Sequence, residues 1–141
     1  MIMRLKKNNN RNQPGVLKNI LESGAVSTNQ LNPLFSFQYL DSNYNVSNCE
    51  KHDKAELSNQ LQVLGSKKWQ DLQQAPKHGL GCEKIERNSI QKTIPPHLKD
   101  DAAVNFLSFR FSGKKPMVGY RVDQTFHVIW IDRDFTVYNH N

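Results

Sequence analysis

Four segments rich in strand-forming residues follow one another in the last third of the chain: Leu107-Ser-Phe-Arg-Phe111, Met117-Val-Gly-Tyr-Arg-Val122, Phe126-His-Val-Ile-Trp-Ile131 and Phe135-Thr-Val-Tyr-Asn-His140. They are separated by residues that favour turns: Ser112-Gly113, Asp123-Gln124 and Asp132-Arg133-Asp134. Short strands joined by tight turns are typical of an antiparallel meander. The sequence therefore predicts that the chain ends in a small antiparallel sheet of three or four consecutive strands.

An earlier strand is predicted at Leu34–Leu40, where apolar and polar residues alternate. The aromatic residues of this segment are expected on one side of the strand: Phe35, Phe37 and Tyr39. Between residues 77 and 104 glycines and prolines interrupt any pattern, and only Cys82–Ile85 has an extended character. We expect a long connection there, with at most one added strand or turn of helix.

Two helices are predicted between the first strand and that connection. The first is indicated by leucines at helical spacing: Leu57, Leu61 and Leu64. Asp53-Lys-Ala-Glu56 resembles a capping box at its start, and Gly65 marks its end. Ser66 is expected to cap a second, shorter helix that carries Trp69 and Leu72 on one face.

This order of elements predicts an α+β domain over residues 33–141, with the helical pair packed on one face of the antiparallel sheet. The other face is then solvated or used for binding. Residues 1–32 are predicted to form a basic, flexible arm with one short helix near residues 16–21. Against the single acid Glu22, the arm carries these cations: Arg4, Lys6, Lys7, Arg11 and Lys18. It is either a solvated extension or an arm that binds RNA or a protein.

The chain of 141 residues is basic and polar, with a formal net charge of +6 and a pI of about 9.4. This charge favours anionic partners such as nucleic acid or an acidic protein. No apolar run approaches the roughly 20 residues that span a bilayer, and the N-terminus lacks the pattern of a signal peptide. We therefore expect a cytoplasmic protein with no membrane partner. Cys49 and Cys82 lack metal-ligand or disulfide spacing and are predicted to be free thiols.

Arginine and histidine side chains alternate with apolar ones in the predicted meander. Alternation predicts that Arg110 and Arg121 share one exposed face of the sheet. In the following strand one side is expected to carry Phe126, Val128 and Trp130, and the other His127, Ile129 and Ile131. A histidine inside an apolar strand is usually packed and hydrogen bonded, so His127 fits a structural role as well as a functional one.

The remaining polar residues give little indication of chemistry. The histidines of polar or proline-containing loops are expected to be simply exposed: His52, His78 and His97. Asp132 and Asp134 have the spacing of a strand-connecting turn, and no metal site is predicted from them. The sequence contains no Gly-rich phosphate loop, no G-x-S-x-G and no H-E-x-x-H motif.

The order of elements and the C-terminal motifs together resemble the RelE/ParE superfamily of bacterial toxins from toxin-antitoxin modules. The resemblance covers about residues 34–141 and rests on short motifs: Phe109-Arg-Phe111, Gly119-Tyr-Arg-Val122, Val128-Ile-Trp-Ile131 and Val137-Tyr-Asn-His140. The long connection and the basic arm fall outside the family pattern. The resemblance implies a RelE-like fold and two partners, a cognate antitoxin and mRNA on the ribosome.

The resemblance also implies roles for individual residues in mRNA cleavage. The implied catalytic set comprises Arg121, Arg133, Tyr138 and His140, with Arg133 stabilising the transition state and Tyr138 or His140 moving a proton. The implied RNA-binding set comprises Arg110, Lys114, Lys115 and His127. In this reaction the RNA 2′-hydroxyl attacks the adjacent phosphorus, which needs no metal and no cofactor.

A fold of this kind also serves other functions, so alternatives stay open. Toxins of the ParE branch inhibit DNA gyrase without cleaving RNA, and a simple nucleic-acid-binding module would use its arginines for backbone contacts alone. The presence of both Tyr138 and His140 favours the nuclease among these alternatives.

Overall fold

The computed structural model of the chain describes residues 27–76 and 79–139. Its five-stranded sheet consists of β1 (Leu34–Ser36), β2 (Glu83–Ile85), β3 (Phe106–Ser112), β4 (Lys115–Val122) and β5 (Thr125–Ile131). The strands lie in the order β1-β5-β4-β3-β2; β1 is parallel to β5, and the other neighbours are antiparallel. The α+β class, the meander and the strand near residues 83–85 are confirmed.

The two helices, α1 (Lys51–Gly65) and α2 (Trp69–Gln74), pack on one face of the sheet, as predicted. The Trp69 ring lies against the sheet, with its centroid 6.0 Å from that of Phe109 and 6.4 Å from that of Phe126. Together the helices and the sheet bury a first core: Cys49, Leu57, Leu64, Trp69, Leu72, Phe109, Phe111, Met117, Phe126, Val128 and Ile131. The helical leucine spacing therefore marks the buried face of α1.

The predicted helix caps do not form. α1 begins at Lys51, so Asp53 lies inside its first turn, and its carboxylate is turned towards the sheet. There it accepts hydrogen bonds from Ser112 Oγ at 2.8 Å and from Lys115 Nζ at 2.7 Å. The Ser66 hydroxyl donates to the Val63 carbonyl at the end of α1 and does not cap α2. Tertiary partners thus replace the predicted capping bond of Asp53, and a local bond at the end of α1 replaces that of Ser66.

The second face of the sheet is also covered, which corrects the expectation that this face is open, either to solvent or for binding. The long connection after β2 crosses it and, with the C-terminal segment, buries a second core: Ile85, Leu98, Phe106, Val118, Tyr120, Ile129, Trp130 and Val137. Short 3-10 turns at Arg87–Ser89 and Pro96–Leu98 give this connection its local structure. The sheet therefore has a buried core on each of its faces.

A β-bulge between β4 and β5 changes which side chains share a face. Met117 pairs with Ile131 and Val118 with Trp130, but the next pair is Gly119 with Val128, so the register shifts. As a result Trp130 lies in the second core and Ile131 in the first. The predicted alternation holds for Phe126 and Val128 and is wrong beyond the bulge, because two residues of β5 here oppose one of β4.

The strands at both ends of the sequence pattern are shorter than predicted. β1 ends at Ser36, and its aromatic neighbours diverge: Phe35 packs on the first core, Tyr39 on the second, and Phe37 is exposed. The segment Phe135–His140 is not a strand in its described part, where Tyr138 forms one isolated antiparallel bridge with Ile90. β1 has three residues paired with β5, and the C-terminal segment has one bridge, so neither forms the longer strand that was predicted.

Residues 28–32, which the sequence assigns to the basic arm, contact the domain. The Trp69 backbone N–H donates to the Leu31 carbonyl at 2.9 Å, and Gln124 Nε2 donates to the Asn32 carbonyl at 2.8 Å. The predicted short helix near residues 16–21 lies outside the described residues, as does His140. Within residues 27–76 and 79–139, no helix has the length and apolar character that crossing a membrane requires.

Candidate functional site

A cluster of two histidines and two tyrosines lies at the edge of the second core: Tyr39, His97, Tyr120 and His127. Strand pairing places Tyr120 of β4 opposite His127 of β5, with the two rings stacked at a centroid distance of 5.0 Å. The turn Pro96–Leu98 brings His97 to this pair, so that His97 Nε2 and the Tyr120 hydroxyl form a hydrogen bond of 2.9 Å. We call these residues the histidine-tyrosine cluster.

Tyr39 closes the cluster from the segment that follows β1. Its ring centroid lies 4.1 Å from that of His97 and 5.4 Å from that of His127. Exposure differs within the cluster, since Tyr120 is 4% exposed, His97 is exposed, and the other two are part-exposed. The cluster therefore presents histidine to solvent above a buried tyrosine.

Burial sets the protonation of the two central groups. Burial lowers the pKa of His127 below its ordinary value, and the nearby charge of His97 lowers it further, so the neutral imidazole is favoured. Burial raises the pKa of the Tyr120 hydroxyl, which therefore keeps its proton. The Nδ1 atom of His127 is buried and has no hydrogen-bond partner among the described residues. A neutral imidazole can accept a proton, and because Nδ1 is buried, a substrate would have to reach the other ring nitrogen, Nε2.

Sequence reasoning identified His127 and missed the other three members of the cluster. His97 is exposed, as predicted, but its hydrogen bond to Tyr120 has no counterpart in any local pattern. The available signal was Pro95-Pro96 directly before His97, because consecutive prolines restrict the backbone that presents the ring.

Arg121 and Arg110 lie on opposite faces of the sheet, which corrects the prediction that they share one. Arg121 is on the helix side, with its guanidinium carbon 4.1 Å from the centroid of the Trp69 ring. Its Nε donates to the Asp123 carbonyl at 2.6 Å, and a terminal nitrogen donates to Thr28 Oγ1 at 3.1 Å. Burial lowers the pKa of Arg121 from its ordinary value. In this position Arg121 fastens residue 28 and α2 to the sheet.

Arg110 lies on the face of the second core, near Tyr138. Burial raises the pKa of the Tyr138 hydroxyl, while a hydrogen bond with Ser108 and the charge of Arg110 act in the opposite direction. Ser108 pairs with Val118, two pairs further along the sheet from Phe106 and Tyr120. Arg110 and Tyr138 therefore lie near each other. They are on the same face of the sheet as His127, and Val118 lies between them and His127.

The remaining predicted site residues lie where β3, β4 and β5 meet the start of α1. Lys114 is exposed in the hairpin turn before β4, and Lys115 is bound to Asp53. Arg133 donates to the Asn43 carbonyl at 3.1 Å and lies 3.6 Å from an Asp134 oxygen. Lys115 and Arg133 are close enough to Cys49 for both charges to act on its pKa, which burial nevertheless raises.

The predicted catalytic set is thus dispersed, since Arg121, Arg133 and Tyr138 have different partners in separate parts of the domain. Neither a protein-family model, nor a curated protein, nor a solved structure matches this chain. The geometry of its own residues is what indicates a site. Within the described residues, the histidine-tyrosine cluster combines two proton-transferring groups in direct or near contact.

The Asp53 carboxylate makes the free energy of unfolding of the domain depend on pH. Its pKa is lowered, chiefly by the hydrogen bond from Lys115 and against the effect of burial. Because the folded pKa lies below the unfolded one, the stabilisation is present above an unfolded pKa of about 4 and is lost as the pH falls through the folded value. Asp53→Asn is therefore expected to lower the unfolding midpoint at pH 7 and to make little difference at pH 2.

Urea unfolding of both proteins between pH 7 and pH 2 measures this effect. Asp100→Asn is the matched control, because Asp100 is exposed and the substitution should leave the wild-type pH dependence intact. An equal difference between wild type and Asp53→Asn at both ends of the pH range would contradict the role assigned to the carboxylate charge.

Proposed function

We propose that this chain is a toxin of the RelE/ParE kind that cleaves mRNA on the ribosome, acts in the cytoplasm and is neutralised by a cognate antitoxin. The observation that carries the proposal is the hydrogen bond between His97 and Tyr120 beside the stacked ring of His127. It provides two histidines for proton transfer on one face of a sheet. The order of strands and helices, with the family-like motifs in β3, β4 and β5, supports the same proposal.

In the proposed reaction the RNA 2′-hydroxyl attacks the adjacent phosphorus. His127 takes the proton of that hydroxyl, because its lowered pKa keeps the imidazole neutral near pH 7. The bond between phosphorus and the 5′-oxygen breaks, and His97, held by Tyr120, donates a proton to the leaving oxygen. The products are a 2′,3′-cyclic phosphate and a 5′-hydroxyl end, and no metal or cofactor enters the balance.

Negative charge on the phosphate during this reaction requires a cation nearby. Arg110 lies on the face of His127, whereas the guanidinium of Arg121 is stacked on Trp69 across the sheet. We therefore assign a structural role to Arg121. Arg110 pairs with Pro116, four residues before Tyr120 in β4, so we assign it a contact with the RNA backbone away from the cleaved bond. The net charge of +6 adds a general attraction for RNA.

Induced expression in a bacterial host, with growth followed and cellular mRNAs mapped by primer extension, tests the proposal. New cleavage sites within translated reading frames are expected with the wild-type chain. His127→Gln and His97→Gln should each lower cleavage at least about tenfold, since positioned acid or base catalysis contributes that much or more. His52→Gln is the matched control, because His52 is an exposed histidine in the first turn of α1.

The other outcomes distinguish the alternatives. Cleavage that persists in the double variant of His97 and His127 would refute this site. Growth arrest with intact mRNA and trapped DNA breaks would indicate a gyrase inhibitor. No arrest, with RNA binding that weakens gradually as salt rises, would indicate a nucleic-acid-binding module.

A further inference from the structure

Arg87 joins two parts of the long connection that covers the second face of the sheet. It opens the 3-10 turn Arg87–Ser89, shortly after β2, and its guanidinium reaches the backbone beyond the next turn. One terminal nitrogen donates to the Leu98 carbonyl at 3.3 Å and to the Lys99 carbonyl at 3.5 Å. The other donates to the Asp101 carbonyl at 2.6 Å. One side chain thus binds three carbonyls of residues 98–101, two of which, those of Leu98 and Asp101, also accept a backbone N–H within the long connection.

These carbonyls directly follow His97 in the chain. The turn Pro96–Leu98 is held internally by the bond from the Leu98 N–H to the Pro95 carbonyl at 2.9 Å, and the Leu98 side chain is buried. That internal bond fixes the shape of the turn but not its position over the sheet. Arg87 supplies a fixed attachment on the C-terminal side of His97.

Arg87 is itself anchored to the row of residues that builds the site. Its guanidinium carbon lies 5.3 Å from the centroid of the Phe106 ring. Phe106 pairs with Tyr120, and Tyr120 pairs with His127, so the three lie side by side on neighbouring strands. Arg87 therefore contacts Phe106 in the sheet and the backbone of residues 98–101 at the same time. It thereby fixes the position of the turn Pro96–Leu98, which places His97 against Tyr120.

We propose that Arg87 is a positioning residue, which holds residues 96–101 so that His97 meets Tyr120 beside His127. The expected effect of Arg87 on cleavage rests on the proposed function, whereas its expected effect on the position of His97 does not. The planar fork of a guanidinium can donate to three carbonyls while lying flat on an aromatic ring. A lysine at this position would keep the charge and lose most of these bonds, so Arg87→Lys is expected to preserve the fold and loosen the turn.

Nuclear Overhauser contacts between ring protons test the structural part. In the wild-type chain, contacts are expected between His97 and Tyr120 and between His97 and Tyr39. Arg87→Lys and Arg87→Gln should each lower the His97 contacts at least about threefold, because the contact intensity falls steeply as the turn moves away. The contact between Tyr120 and His127, which depends on strand pairing alone, should persist and reports that the sheet is folded.

Lys99→Gln is the matched control, because it removes an exposed positive charge from the same segment and leaves the carbonyl that Arg87 binds. Its His97 contacts should equal those of the wild type. Overhauser contacts of His97 at wild-type intensity in both Arg87 variants would overturn the proposal, because the turn would then keep its position without Arg87. Lost contacts in Arg87→Lys with an intact contact of Tyr120 and His127 would support it.

Cleavage kinetics with purified ribosomes separate the two proposals. If His97 delivers the proton, Arg87→Lys should lower kcat at least about tenfold with KM within about twofold, because substrate contacts are retained while the acid is misplaced. If Arg87→Lys lost the His97 ring contacts but cleaved at the wild-type rate, Arg87 would be confirmed as the residue that positions the turn, and His97 would have no part in the mechanism. Retained ring contacts with reduced cleavage would overturn the positioning role and leave the proposed nuclease in place.

Discussion

Gly119→Ala is expected to destabilise the domain by about 3 kcal/mol or more, and in the extreme case to prevent folding. A Cβ atom at this position would lie 1.9 Å from the His127 carbonyl oxygen, 2.8 Å from its carbon and 3.0 Å from the Val128 Cα. All of these are backbone atoms of the neighbouring strand at the bulge, so no side chain can rotate away. Gly119 is required for space and not for a positive φ, which Gly113 alone adopts among the described glycines.

Urea unfolding of the purified variant measures the loss, and Gly65→Ala is its matched control. A Cβ on Gly65 would find no described atom within 4 Å, and alanine favours the end of α1, so this variant should remain within about 1 kcal/mol of the wild type. A Gly119→Ala protein of wild-type stability would show that β4 and β5 do not meet in the observed register.

Local patterns predicted the elements of the fold because each element obeys its own period. The alternation of β3 and the leucine spacing of α1 both mark the face that is buried against the other. The bulge beside Gly119 has no such local signal, since it depends on which residues of β5 oppose β4. One extra residue there exchanges the faces of Trp130 and Ile131.

Contacts between distant segments explain why the site was only partly predicted. Tyr39, His97, Tyr120 and His127 come from four separate segments, and only the last two are joined by strand pairing. The same limit applies to Asp53, whose spacing fits a capping box although Ser112 and Lys115 bind its carboxylate from the sheet. In each case the hydrogen bond is made to a residue that is distant in the sequence, which local spacing does not predict.

The cover over the second sheet face illustrates a further limit. Its apolar residues contact one continuous core, and the first three of them recur four residues apart: Ile90, Ile94, Leu98 and Val104. This spacing would fit a helix, but Pro95 and Pro96 exclude one, so the spacing alone does not predict which elements bury these side chains. This segment also carries Arg87 and His97, so the part of the sequence that was hardest to interpret is the part that completes the candidate site.

Asp132→Ala is expected to cost about 3 kcal/mol of stability, because it removes the acceptor of the buried Val137 N–H and of two part-buried Thr136 donors. The Asp132 side chain is fully buried, and its two oxygens accept from the Thr136 N–H at 2.9 Å, the Thr136 hydroxyl at 3.3 Å and the Val137 N–H at 2.9 Å. These bonds hold the turn in which Phe135 has a φ of 58°. They also fix Val137, which is fully buried in the second core.

Chemical unfolding and hydrogen exchange at the Val137 amide measure this effect. Asp134→Ala is the matched control, because Asp134 is exposed and its contact with Arg133 is a long one of 3.6 Å, so a change within about 0.5 kcal/mol is expected. Unchanged protection of the Val137 amide in Asp132→Ala would contradict the assigned role.

The loss at Asp132 should extend beyond its own turn. The Val137 carbonyl accepts from the Gln91 N–H at 2.7 Å, and Tyr138 bridges to Ile90, so the C-terminal segment holds the connection just after Arg87. Loosening this attachment should raise amide exchange at Gln91, while the pairing of Tyr120 with His127 inside the sheet should be preserved. A buried carboxylate at the end of β5 would then stabilise the cover that carries His97, which ties the stability of the C-terminal turn to the geometry of the histidine-tyrosine cluster.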